Sequence, residues 1–124
     1  MSTDNKPLLD KEIIRIVKEF VKGLLGNKPT VDKCYMVCSP LSAYLSFLEI
    51  ENTLTEGEVN EYHHFWITLS DGRIIDPTAD QFGLLNIYLK NKPSYYRQYT
   101  SDDYNQKIND AIIKFNQQCQ TINH

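Results

Sequence analysis

A thiol, an imidazole and a carboxylate follow one another along this chain. Cys34 and Cys38 come first, then His63-His64-Phe65-Trp66, then Asp76-Pro77-Thr78. These are the residue types of a cysteine nucleophile, its base and the group that orients the base. The thiolate is the reactive form. A neighbouring imidazolium and a helix N-terminus both lower a thiol pKa from its reference of ~8.5. A carboxylate that accepts one ring N–H fixes the imidazole tautomer and leaves the other nitrogen for the thiol proton. Backbone N–H groups at the start of a helix could hold the oxyanion that forms.

Adjacent strand residues point to opposite faces, so His63 and His64 cannot both serve one site. The turn after them chooses. A three-residue loop Ser70-Asp71-Gly72, with Gly72 left-handed, is a common hairpin connection. It pairs Leu69 with Arg73, Ile67 with Ile75 and Trp66 with Asp76. One face then carries Phe65, Ile67, Leu69 and Ile75. The other carries His64, Trp66, Thr68, Ile74 and Asp76. His64 and Asp76 become diagonal neighbours, ~7 Å apart at the backbone and within side-chain reach. A two-residue Asp71-Gly72 loop would shift the register by one and bring His63 to Asp76 instead. The three-residue loop, and with it His64, is favoured.

Several elements must hold these groups. Leu9, Ile13, Val17, Phe20, Val21 and Leu24 recur at helical spacing, so a helix capped by Asp10 is expected to run to about Leu25 and stop at Gly26. Residues 1–7 read as a frayed tail, and Asn27 to Lys33 as a loop. A second helix is expected over roughly 34–48, with Leu41, Tyr44, Leu45 and Leu48 on its apolar stripe. Pro40 leaves two starts open, because proline suits a first turn and is costly further in. Either the helix begins near Cys34, or Ser39 caps a helix that begins at Pro40. The second start would favour Cys38 as the nucleophile. Strands are expected over 53–59, from Tyr62 to Leu69 and from Arg73 to Asp76. The Tyr-rich stretch from Gly83 to Thr100 suggests a strand plus a loop. Ser101 is expected to cap a last helix, with Tyr104, Ile108, Ala111, Ile112, Phe115 and Cys119 on a stripe that should be core. The order predicts an α+β domain, with N-terminal helices packed on a small antiparallel sheet and a C-terminal helix.

A length of 124 residues predicts a single domain over 1–124. No apolar run approaches the ~20 residues of a membrane span, so no membrane partner is expected. The polar first residues lack a signal-peptide core, so the cytoplasm is the expected location. Three cysteines are an odd number, which argues for reduced thiols over a disulfide scaffold. A net charge of −3 and a pI near 5.5, with scattered lysines, argue against nucleic acid as a partner. Zinc held by Cys34, Cys38, His63 and His64 is the competing constellation. The opposed directions of the two histidines argue against it, so no metal and no cofactor is expected.

His64-Phe65-Trp66, a hairpin, and Asp76-Pro77-Thr78 together resemble the His-x-Trp…Asp-Pro-Thr signature of transglutaminase-like proteins, within the papain-like cysteine superfamily. The run from Asp71 to Phe82 is similar to small bacterial and phage transglutaminase-like proteins of unassigned function. The resemblance covers roughly residues 30–100. It implies a papain-like (transglutaminase-like) core with the nucleophilic cysteine at the start of a helix on the sheet. Cys34-Tyr35-Met36-Val37-Cys38 matches the family's Cys-x-x-x-Ser with Cys38 in the serine's place. Carried over, Cys34 is the nucleophile, His64 the base and Asp76 the orienter. No Gln stands shortly before Cys34, so backbone N–H groups are left as oxyanion donors.

The resulting expectation is a cysteine-dependent amide hydrolase or acyl transferase (protease, deamidase or transamidase) that works on a protein or peptide through a thioester. Trp66, Tyr95 and Tyr96 are expected to line the substrate site. The alternative is a non-catalytic binding protein, such as a phage- or plasmid-encoded inhibitor of a host protein, that keeps the fold. Neither reading fixes an oligomeric state.

Overall fold

A computed structural model describes residues 9–28, 33–84 and 87–122. The expected tail and most of the expected loop after Gly26 lie outside them. Helix α1 spans Asp10–Leu25. Its cap differs from expectation: Leu9 is the N-cap residue and Asp10 the first helical one. Glu12 Oε1 accepts the Leu9 N–H at 3.1 Å, so the carboxylate of the third helical residue does the capping. Gly26 ends the helix at φ 61°, a conformation glycine adopts without a Cβ clash.

Helix α2 spans Cys34–Phe47 and carries Pro40 in its interior. Of the two starts the sequence allows, the one at Cys34 is observed. Strands β1 (Asn52–Val59), β2 (Tyr62–Leu69), β3 (Arg73–Asp76), β4 (Tyr88–Asn91) and β5 (Tyr96–Gln98) follow. They form one antiparallel sheet in the order β4-β3-β2-β1-β5. The Tyr-rich segment thus supplies both edge strands. Helix α3, Ser101–Ile122, closes the chain.

The β2–β3 register is the expected one. Ile67 pairs with Ile75 and Thr68 with Ile74. Gly72 has φ 93° and donates its N–H to the Leu69 carbonyl at 3.1 Å. That register divides the side chains between two cores. On one face, Ile13 and Val17 of α1 and Leu41 and Leu45 of α2 pack on Ile67, Leu69, Ile75 and Leu89. The other face buries Trp66 and Ile74 against Val59 and Tyr96, with Phe82 and Leu84 alongside.

Helix α3 departs from expectation. Its stripe should be core by its period, yet Ile108, Ile112 and Phe115 are 56%, 52% and 63% exposed. The first turns of the helix touch the sheet. Tyr104 Oη donates to Glu56 Oε1 at 3.0 Å, Arg97 pairs with Asp103, and Lys107 Nζ lies 4.6 Å from the Tyr99 ring centre. Residues 104–118 are exposed, and Cys119 is only half-buried. Thr100, not Ser101, caps it. Thr100 Oγ1 accepts the Asp103 N–H, and Asp103 Oδ2 accepts the Thr100 N–H at 2.7 Å. Among the described residues no helix is long and apolar enough to cross a membrane.

Candidate functional site

Cys34 is the first residue of α2, where N–H groups have no carbonyl of the preceding turn to meet. The N-cap residue Lys33 provides no side-chain cap, and the Tyr35 backbone is hydrogen-bonded to the Cys34 sulfur. His64 and Asp76 come from β2 and β3, on the face opposite the two helices. β2 and β3 pair at Ile67↔Ile75 and Thr68↔Ile74, and β3 ends at Asp76. The Phe65 peptide lies past those pairs, and α2 meets it with its first turn. The Cys34 thiol is hydrogen-bonded to the Phe65 backbone and to the His64 side chain. Cys38, one turn on, donates its thiol to the Phe65 carbonyl at 3.6 Å.

His64 is buried and its Nε2 lies 3.0 and 2.8 Å from the two oxygens of Asp76. A carboxylate only accepts, so Nε2 carries the proton and Nδ1 is the nitrogen left for the thiol. Phe82 packs edge-on against the imidazole at 4.8 Å between ring centres. Asp76 is fully buried and surrounded by donors. Besides His64, its Oδ2 accepts the Tyr96 hydroxyl at 2.7 Å, and its Oδ1 accepts the Thr78 N–H at 3.2 Å and the Thr78 hydroxyl at 3.3 Å. A buried carboxylate needs such donors to offset lost hydration. The Asp-Pro-Thr sequence supplies two of them locally: Pro77 fixes φ, and Thr78 folds back on the side chain two residues earlier.

The charges follow. Burial disfavours the His64 imidazolium, but the hydrogen bonds and charges of Asp76 and Cys34 outweigh it and push His64 up to about 9. Burial also works against a Cys34 thiolate. The hydrogen bond from His64 opposes it, with the Phe65 backbone, the His64 charge and the Tyr35 backbone, and the Cys34 pKa falls below its ordinary value. Cys38 moves the other way. Burial raises its pKa well above the ordinary thiol range, and the charges of Asp76 and Cys34 add to that. The two cysteines, one helical turn apart, therefore differ in kind: the pKa of Cys34 is lowered beside His64, and that of Cys38 is raised in the core.

Cys34, His64 and Asp76 are thus brought together. His63 is not part of the group: it turns to the other face and pairs with Glu56 at 2.6 Å. The zinc constellation of Cys34, Cys38, His63 and His64 is therefore not assembled. Two of the three residues expected to line a substrate site are misplaced for that task. Trp66 and Tyr96 are completely buried, their rings packed edge-to-face at 5.2 Å, so neither presents a surface to a ligand. Tyr96 instead holds Asp76. Tyr95, at 38% exposure, stays accessible. Reasoning from sequence misses Thr78 and Phe82 as members of the site. Thr78 stands in the motif itself, two residues after Asp76, whereas Phe82 arrives from the 3₁₀ turn Ala79–Phe82, which no periodicity signals.

No protein-family model matches this chain, and neither the curated proteins nor the solved structures give a significant match.

Proposed function

We propose that this protein is a cysteine-dependent acyl-transfer enzyme of the transglutaminase-like, papain-like kind, acting on an amide in a protein or peptide. The observation that carries the reading is His64 held between the Cys34 thiol and the Asp76 carboxylate, with Nε2 committed to the carboxylate. The Cys34 thiolate attacks the amide carbonyl carbon and a C–S bond forms. The N–H groups opening α2 receive the oxyanion. The His64 imidazolium gives its proton to the departing amine as the C–N bond breaks, leaving a thioester. Neutral His64 then deprotonates the second nucleophile, and collapse of the second tetrahedral intermediate returns the thiolate. Water as that nucleophile gives a protease or deamidase, and an amine gives a transamidase. Reduced thiols suit a cytoplasmic setting, which belongs to the same proposal.

Thiol alkylation against pH tests the reading. Cys34 should react with iodoacetamide at about pH 6, and His64→Ala should abolish that advantage. Alkylation of all three thiols only at about pH 8.5 and above would sink it.

A second reading, a non-catalytic binding protein on the same fold, has the uncovered apolar stripe of α3 on its side. It predicts ordinary-range alkylation of Cys34, so one titration separates the two.

A further inference from the structure

Cys38 has no task in the acyl-transfer scheme, yet its position is specific. It lies four residues after Cys34 on one helix, and residues so spaced share a helix face. Both sulfurs meet the Phe65 peptide, Cys38 through the carbonyl at 3.6 Å and Cys34 through a backbone hydrogen bond. The charge of Cys34 is felt at Cys38. Cys34 is half-buried and so open to a small reagent, and Cys38 is sealed. We infer that Cys34 and Cys38 form a peroxide-sensitive dithiol, in which Cys34 is oxidised to a sulfenic acid and Cys38 resolves it to a disulfide that closes the nucleophile. The inference rests on the same reactive thiolate as the proposed function and needs no amide substrate.

The chemistry balances with hydrogen peroxide as the oxidant. The Cys34 thiolate attacks one peroxide oxygen, the O–O bond breaks, and hydroxide leaves. Sulfur has then lost two electrons and carries one oxygen. The Cys38 sulfur attacks the Cys34 sulfur, an S–S bond forms and the S–O bond breaks. The departing hydroxide takes the Cys38 proton and leaves as water. Two thiols and one peroxide give one disulfide and two waters.

The helix geometry makes this bond strained but reachable. Cβ atoms one turn apart lie about 5–6 Å from each other on a helix. A disulfide brings them to about 3.5–4.5 Å. The first turn of α2 must therefore tighten, and it is lightly held. Cys34 is its first residue, Lys33 provides no side-chain cap, and Pro40 has no N–H to give the Met36 carbonyl. Strain makes a disulfide easier to reduce, which suits a reversible block.

Trypsin exposes the outcome in one peptide. No Lys or Arg lies between Lys33 and Arg73, so residues 34–73 carry Cys34 and Cys38 together, and Cys119 falls on another peptide. After brief exposure of the full chain to hydrogen peroxide, that peptide should be lighter by two hydrogen atoms. Alkylation of Cys34 should fall by at least about tenfold and return with dithiothreitol. In Cys38→Ala the same treatment should add two oxygen atoms that dithiothreitol does not remove. Added oxygen in the unaltered chain at the rate seen in Cys38→Ala would overturn the inference. So would a Cys34–Cys119 link between chains, or two thiols left free. The two proposals separate cleanly. Ordinary-range alkylation of Cys34 in untreated protein strikes the acyl-transfer reading, and the mass of the peptide decides the dithiol.

Discussion

The side chains around Asp76 explain how one buried carboxylate can organise a proton transfer. Two oxygens accept from His64, Tyr96 and Thr78, so the acceptor cannot rotate away from the imidazole. Asp76→Asn would leave the imidazole the wrong partner or the wrong tautomer. It should lower acyl-transfer activity by about 10²–10⁴-fold and remove the low-pH arm of Cys34 alkylation, measured as rate against pH. Stability should carry a second signature of the pair. His64 is raised in the folded state, so alone it stabilises below its unfolded value of ~6.5 and loses this as pH climbs through about 9. Cys34 is lowered, so alone it adds stability as pH rises from its lowered value to ~8.5. Between the lowered Cys34 value and ~8.5 the two contributions oppose each other. In Cys34→Ala only the His64 contribution remains, so the urea midpoint should fall more steeply there than in the unaltered chain. Equal slopes in the two chains would count against the pairing of His64 with Cys34.

Each element contributes a constraint that its own sequence could not display. Gly57 of β1 shows the tightest one. A Cβ there would meet the Arg97 carbonyl of β5 and lie 2.6 Å from the edge of the Trp66 ring. Backbone on one side and a buried indole on the other cannot both retreat. Gly57→Ala should cost about 1–3 kcal/mol, read as a lowered urea midpoint with an unchanged slope. The start of α3 gives the opposite case, a local motif with local cost. Thr100→Ala removes the hydroxyl that accepts the Asp103 N–H and should cost about 1 kcal/mol. The helix periods, the three central strands and the hairpin are legible in the sequence, because apolar spacing and turn chemistry are local. The caps expected at Asp10 and Ser101 are each off by one residue. Neighbouring polar residues compete for the same N–H groups there, and spacing alone does not rank them.

At the scale of the molecule, the sheet separates two jobs. One face builds the main core with α1 and α2, and the other builds the buried cluster that holds Trp66, Tyr96, His64 and Asp76. Helix α3 is mostly exposed after its first turns. Ending the chain at Ile112 should therefore lower the unfolding free energy, read from urea unfolding, by about 0.5 kcal/mol or less, whereas Tyr104→Ala, which takes away the Glu56 contact, should cost more. The α3 stripe has a regular helical period, and that period alone reads as core. Periodicity says that a face is apolar, but not whether this chain covers it. The same distinction runs through the site. The sequence by itself determined which residue types are present and their order, and through the Ser70-Asp71-Gly72 loop it favoured His64 over His63 as the residue that shares a face with Asp76, which the observed register bears out. A strand has a period of two and a turn fixes its register, so local chemistry sufficed. Only the tertiary structure separates Cys34 from Cys38, because the His64 side chain bonds to the first and the core seals the second. It also decided that Tyr96 faces inward to Asp76 and not outward to a ligand, since the pairing of β5 with β1, some forty residues apart in the chain, sets that direction.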